Sequence, residues 1–339
     1  MRAWQMGPKT GIDGLQLAEH PDPVPGPGEI LVKVSAAGLN YRDLMVLRGD
    51  YGSDLPEDRV PLSDGVGVIE AVGDGVTGLD VGTRVMAPHF VTWLEGAYSM
   101  AVFGNDLGVT ANGWLAEKII LPANAAIAVP ENILDASAAT FSVVGSTVWH
   151  AMIAFGGAKP GDLVLAQGTG GVSIFALQLA KAMGMDFAIT SSSDEKLDRA
   201  KTMGADYCVN YRDRPDWAAA LLEATGGRGA DVVVDTLGFP ALGETMAACG
   251  VNARIGSLGA LSGTPQDPSS ASQGAMIGKN LAIKGIASGD RQMLQQALEI
   301  VSENNIELVV ESVFDFADAP AAFAHLESGA HMGKVMITV

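Results

Sequence analysis

The residues best suited to chemistry are Gly168-Thr169-Gly170-Gly171-Val172-Ser173, set between the apolar run LVLAQ and an apolar helical stretch. A strand, a glycine turn and a helix in that order form the context in which backbone N–H groups cradle a phosphate. Gly168 permits the tight turn and Gly170 lets the backbone approach a pyrophosphate. Ser173 stands where a third glycine is usual, and its small side chain still allows close helix-to-strand packing. Free N–H groups and the positive dipole end of the helix complete an anion site, with Thr169, Gly171 and Val172 as further contacts. A glycine triplet alone is an ordinary turn; the six-strand pattern that follows makes this one a dinucleotide site.

Which dinucleotide it takes depends on the end of the second strand, about 20 residues on, where an acid would bond the ribose hydroxyls. This chain reads TSSSDEK there, with Ser191 at the acid's position, Ser192 and Lys196 close by, and Tyr211 and Arg212 after the third strand. Hydroxyls and cations suit a 2′-phosphate, which a carboxylate would repel. NADP(H) is therefore the expected cofactor, ahead of NADH. A second reading stays open: Ser193 or Asp194 caps a helix and Lys196 is a solvated surface charge.

The 339 residues are 48% hydrophobic, enough to build cores for two domains, and carry a formal charge of −18. That charge repels nucleic acid and anionic membranes, so neither is an expected partner. Cys208 and Cys249, the two cysteines, cannot form a disulfide framework or a four-cysteine zinc lobe and read as buried small hydrophobes. The apolar stretches are interrupted well short of a membrane span, and MRAWQM opens the chain as a strand rather than a basic leader. A soluble cytoplasmic protein is expected.

Two kinds of element must hold the chemistry in place. The first third is rich in Gly and Pro with short β-like runs such as GEILVKVSAAGLN and GVGVIEAVGDGV, which predict a compact, mostly β domain. From about Leu163, six short strands (LVLAQ, DFAITS, DYCVNY, DVVVDTLG, RIGSLG, LAIKGIAS) alternate with helices near 172–183, 194–203, 215–225 and 240–249. That alternation predicts a doubly wound parallel sheet, so the fold class is α/β. A helix near 290–304 and a closing strand GKVMITV return to the first domain.

With the NYRD block, the glycine loop and the closing ESGAHMGKVMITV, the sequence resembles the medium-chain dehydrogenase/reductase superfamily. Its closest likeness is to the zinc-free quinone oxidoreductase and alcohol dehydrogenase-like branch, over essentially the whole length. The resemblance implies a GroES-like catalytic domain from residues 1–125 and 288–339, a Rossmann domain over 126–287, a cleft where they meet, and a homodimer.

Zinc-dependent members hold catalytic metal with a cysteine in the segment matching GLNYRD, a histidine in a Gly-His-Glu block and a later cysteine or carboxylate. This chain has Asn40 at the first position, Ser63 before Asp64 at the second and no cysteine in TFSVVGS. Residues 88–113, matching the structural-zinc loop, also lack cysteine, so no metal is expected at either site. His89 and His150 read as structural residues or polar pocket walls. Without a Lewis acid an alkoxide is hard to stabilise, and Arg42 stands where zinc alcohol dehydrogenases carry a relay hydroxyl. A quinone, enone or enal delocalises the charge itself, so the expected reaction is hydride transfer from NADPH to such an acceptor.

By resemblance, Asn40, Asp43, Tyr51 and Thr147 line the nicotinamide end. Asn40 is a donor to the cofactor or the developing oxyanion, and Tyr41 and Tyr51 are candidate proton donors. For Asn40 and Asp43 a helix-start role is the alternative, and for Tyr51 a packed aromatic. Met45 replaces a tyrosine found in some quinone reductases of this branch. Asp64 reads as a residue that holds the domain's geometry. Leu258, Gly259 and Ser288 follow the fifth and sixth strands, where open α/β sheets meet ligand. The stretch 89–114 reads as a long loop in which Phe90, Trp93 and Tyr98 either wall the substrate pocket or pack within their own domain. Enoyl-thioester reductase, zinc-independent alcohol dehydrogenase and a catalytically idle NADPH-binding sensor or structural protein are the rival functions.

Overall fold

A computed structural model describes residues 1–7, 10–51, 58–259 and 273–339. The chain forms two compact units, Met1–Ser146 with Asp290–Val339, and Thr147–Gly289.

In the first unit, strand Glu29–Gly38 is the spine of a seven-stranded sheet. It pairs antiparallel with Asp64–Val72, Lys118–Pro122 and Lys334–Thr338, so the far end of the chain closes the sheet, with Ile337 opposite Ala37. Ile30, Val32, Ile69, Trp114, Phe323 and Ile337 share one apolar core. The Trp114 ring fills the space a side chain would need at Gly65, where a Cβ would come within 2.3 Å of it. The opening MRAWQM does form a strand, Arg2–Met6, against Leu15–Glu19. The sequence boundary at 125 falls short of the unit boundary at Ser146. Strand Ile127–Ala128 continues the sheet beside Arg84–Met86, and Ser137 Oγ accepts the Leu308 N–H at 3.0 Å, which ties the intervening segment into the first unit.

The second unit is a six-stranded parallel sheet in the order Tyr207–Asn210, Asp186–Ser191, Leu163–Gln167, Ala230–Asp235, Cys249–Ser257, Ala282–Gly285. Leu163–Gln167 is buried at every residue, as a continuous apolar run covered on both faces must be. Successive strands leave it in opposite directions, which puts a topological switch point at its carboxyl end. Helices Gly171–Ala182, Asp194–Thr202, Trp217–Ala224 and Leu242–Ala248 lie within a few residues of their sequence positions; Gln273–Gly278 carries no such signal. The architecture is the expected α/β pairing of a mostly β unit with a doubly wound sheet. Among the described residues no helix is long and apolar enough to cross a membrane.

Candidate active site

The glycine loop leaves the switch-point strand directly. Gly168 has φ of 73°, a left-handed conformation that favours glycine, and its N–H donates to Thr190 O at 2.8 Å. Gly170 caps helix Gly171–Ala182, whose first turn holds no acid. A Cβ at Gly168 or Gly170 would meet nothing within 4 Å, so this face of the loop is open for an anion to approach the backbone. Ser173 serves as the close-packing residue: it is buried and its hydroxyl donates to Gln167 O at 2.7 Å, locking helix to strand. Thr169 is buried at the turn.

Ser191 ends its strand in a buried position, and its carbonyl accepts the Tyr211 N–H at 3.0 Å. That bond brings Tyr211 and Arg212, both exposed, beside the position where an acid would bind ribose. Ser193 caps helix Asp194–Thr202 by accepting the Lys196 N–H, so the capping reading of that serine holds while Ser192 and Lys196 remain partly exposed.

At the carboxyl edge of the other strands, Leu258 and Gly259 donate their N–H groups to Asp235 O at 3.0 and 3.2 Å. Gly259 is glycine for a packing reason: a Cβ there would lie 1.8 Å from Thr236 O. The rest of GSLGALSG, residues 260–263, lies outside the described residues. Asp235 gave no sequence signal. It is fully buried, accepts from Ser257 Oγ at 2.8 Å, and burial pushes its carboxyl up against the pull of that hydroxyl. Gln167 is likewise a hub, its Nε2 donating to Thr245 and its Oε1 accepting the Thr236 N–H. Thr147 and Ser288 come together, their hydroxyl oxygens 3.1 Å apart and both buried, and His150 Nδ1 reaches the Ser288 carbonyl.

The first unit holds a separate polar cluster. The Asn40 N–H donates to Asp43 Oδ2 at 2.7 Å, the helix-start role foreseen for this pair, as helix Tyr41–Arg48 begins. The Asn40 side chain does more, donating Nδ2 to Asp64 Oδ2 at 2.9 Å and accepting Lys334 Nζ on Oδ1 at 2.7 Å. Lys334 also pairs with Asp64 at 3.1 Å, and Asp64 Oδ1 accepts the Val143 N–H. Ser63 donates to Asp43 Oδ1, and burial pushes the Asp43 carboxyl up to about 6 against the pull of Arg42 and the Asn40 N–H. Lys334 was missed because only the sheet brings residue 334 beside residue 40. These groups do not fit a zinc ion. Amide, carboxylate and ammonium satisfy one another, and no three His, Cys, Asp or Glu side chains converge as a metal site among the described residues.

Arg42 is clamped by Asp106 Oδ2 at 2.6 Å and by His89 Nδ1 at 2.5 Å, and lies 5.0 Å from the centroid of the Tyr51 ring. Burial, then Arg42, holds His89 below its ordinary value against the pull of Asp106. Burial raises the Tyr51 phenol while Arg42 draws it back. Tyr41 does not join this group. It is exposed at the start of its helix and interacts with Arg48, because successive helical residues point about 100° apart.

In the stretch 89–114 the packing alternative describes Phe90 and Trp93. Phe90 and Trp93 are buried with Val102 in a small core of their own, with Phe103 packed against it, and Trp93 Nε1 donates to Gly96 O. Tyr98 keeps an exposed face while its ring stacks edgewise on Trp93. The loop packs within its own unit because it carries enough aromatic surface to bury itself. Of the cysteines, Cys249 is buried, its thiol pushed up to about 12 by burial, while Cys208 is partly exposed.

Comparison with known proteins bears on both units. Residues 26–131 match the alcohol dehydrogenase GroES-like domain and residues 171–303 the zinc-binding dehydrogenase family. A zinc-type alcohol dehydrogenase-like protein of Schizosaccharomyces pombe is 36% identical over 97% of this chain and 96% of its own length. An acryloyl-coenzyme A reductase of Metallosphaera sedula is 31% identical over 96% of each chain. A solved NAD-dependent alcohol dehydrogenase is 32% identical, covers the whole of both chains and has a TM-score of 0.89. With its GroES-like unit, its parallel-sheet unit and relatives of this identity along its full length, the chain belongs to the medium-chain dehydrogenase/reductase superfamily.

Proposed function

We propose that this oxidoreductase uses NADPH to reduce a conjugated acceptor, a quinone, enone or enal, without a metal ion. The observation that carries the reading is the Asn40–Asp64–Lys334 cluster, in which Asn40, at the position where zinc members carry a cysteine ligand, has its amide taken up by the Asp64 carboxylate and the Lys334 ammonium. With no Lewis acid to stabilise an alkoxide, the acceptor must carry its own electron sink, as a conjugated carbonyl does. A bound nicotinamide would supply the hydride that reaches the electron-poor carbon. Tyr51 or water returns the proton to the resulting enolate or hydroquinone oxygen, and donors such as the Asn40 amide steady the negative charge. In the second unit the open face at Gly168–Gly170 supports binding of the diphosphate, and Ser191, Lys196, Tyr211 and Arg212 favour a 2′-phosphate over a bare ribose.

A second reading, reduction of an enoyl thioester, draws on the full-length likeness to an acryloyl-coenzyme A reductase. Following NADPH and NADH oxidation against quinones, enals, acryloyl-coenzyme A and simple aldehydes, with alcohols assayed in reverse and metal measured on the same sample, tests both. Faster turnover of plain alcohols, or stoichiometric zinc, overturns the first reading; turnover of the thioester alone selects the second. Nucleotide binding without turnover of any acceptor points to the sensor class.

We also propose a homodimer built on the edge strand Ala282–Gly285. All four of its residues are exposed, and apolar Ile283, Val251 and Ile277 lie open nearby. Sedimentation equilibrium of the wild-type chain tests it, a monomer at micromolar concentration being the contrary outcome.

A further inference from the structure

Ser288 is the one residue of the predicted nicotinamide end whose backbone is strained. Its φ of 115° lies where non-glycine side chains rarely go, a conformation that persists only when surrounding structure enforces it. It follows Ala282–Gly285, whose register with Cys249–Ser257 and, through the sheet, with Leu163–Gln167 puts Ser288 at the same carboxyl edge as the glycine loop.

Three side chains enforce that geometry. Thr147 Oγ1 lies 3.1 Å from Ser288 Oγ. His150 Nδ1 contacts the Ser288 carbonyl, and Lys284 Nζ lies 2.9 Å from His150 Nε2. These two partners permit a single form of the imidazole. A carbonyl oxygen only accepts, so Nδ1 must carry the hydrogen; an ammonium only donates, so Nε2 must offer its lone pair. His150 is therefore a neutral imidazole with both nitrogens committed, and Lys284 is fixed in turn over the Phe155 ring at 5.7 Å. Gly256, beside Ala151 at 2.9 Å for a hypothetical Cβ, lets the helical segment carrying His150 sit against the sheet.

We propose that His150 is the positioning residue of the nicotinamide subsite: it holds Ser288 in its strained conformation so that the backbone and hydroxyl there meet the nicotinamide carboxamide. This rests on the reading of the chain as a pyridine-nucleotide enzyme and adds to it a residue that acts on one end of the cofactor only. On that reading the 2′-phosphate and diphosphate lie against residues 168–172, 191–196 and 211–212, whereas the hydrogen-bond partners of the His150 ring are Ser288 and Lys284.

The test compares two probes on the full-length protein by calorimetry: NADPH, and 2′-phospho-ADP-ribose, which lacks the nicotinamide. His150→Phe keeps the ring volume and removes the donor; His150→Asn keeps a side-chain N–H near the place of Nδ1. His150→Phe should weaken NADPH about tenfold, the worth of one well-placed hydrogen bond, and leave 2′-phospho-ADP-ribose unchanged. His150→Asn should restore NADPH affinity to within about threefold of wild type. In steady state the same loss should fall on KM for NADPH, with KM for the acceptor unmoved. Equal weakening of both probes, or an unchanged NADPH affinity in His150→Phe, overturns the proposal. Should His150→Phe not fold, His150→Gln, whose amide serves Lys284 rather than the Ser288 carbonyl, carries the same expectation. If the wild-type chain binds neither probe nor NADH, the nucleotide reading itself fails, a result separate from any effect of His150.

Discussion

Lys334 Nζ lies 3.1 Å from Asp64 Oδ2 with both side chains buried, although 270 residues separate them in the chain. Removing one partner leaves a buried charge uncompensated, at a cost of about 3–5 kcal/mol. Lys334→Met should therefore lower the stability of the first unit by that order at neutral pH, while Lys334→Arg, which keeps the charge, should lose much less. Urea unfolding followed by tryptophan fluorescence reads both.

Asp43 gives a pH signature. Its folded value is raised by burial from 3.8 to about 6. The folded state thus holds a proton that the unfolded chain releases at lower pH. Stability from this group is greatest below the unfolded value and declines as pH rises toward the folded value, with the full cost of a buried carboxylate, about 3 kcal/mol, present above it. Asp43→Asn lacks that cost, so its stability relative to wild type should grow between pH 4 and pH 7. Melting temperatures of both proteins across that range test this; a constant difference refutes it.

The glycine loop separates folding from binding. Gly170 has an ordinary φ of −77° and open space at its Cβ position, so Gly170→Ala should leave the melting temperature nearly unchanged. It should still weaken NADPH at least tenfold, because the methyl occupies the path to the diphosphate. Gly259→Ala should do the reverse: its Cβ collides with Thr236 O, so it should destabilise the second unit by about 1–3 kcal/mol. Differential scanning fluorimetry paired with nucleotide titration distinguishes the two.

Cofactor choice should turn on Ser191 and Arg212. Arg212→Ala should raise KM for NADPH several-fold and leave KM for NADH alone, since the guanidinium serves only the extra phosphate. Ser191→Asp should favour NADH by bonding the ribose hydroxyls and repelling the 2′-phosphate. A wild-type preference for NADH, with no response to Arg212→Ala, would place the adenosine end elsewhere.

Much of the second unit could be read from local order. LVLAQ, the glycine turn and the apolar helix follow one another within twenty residues, and their roles come from backbone conformation and small side chains that neighbours in sequence fix. Gly168, Gly170 and Ser173 carry their reasons with them. The places of Ser191, the last residue of its strand, and Arg212, just past the next, are legible for the same cause, since the apolar pattern announces where each strand ends.

What local order could not supply was partnership. Asn40 and Asp43 were visible as a helix start, yet the ammonium that fills the space beside Asn40 arrives on the last strand, and Arg42 meets Asp106 and His89 only after the 89–114 segment folds on itself. Phe90 and Trp93 looked equally fit for a pocket or a core; burying aromatic area decided for the core. Asp235, Gln167 and the pairing of His150 with Ser288 and Lys284 gave no periodic signal at all. The sequence alone determined the α/β class, the order of elements and the glycine turn between the first parallel strand and its helix, because backbone propensity and apolar period act over a few residues. Tertiary structure alone decided which charges neutralise one another and which hydroxyls share a hydrogen bond, because those energies depend on distances that only the closed sheets set.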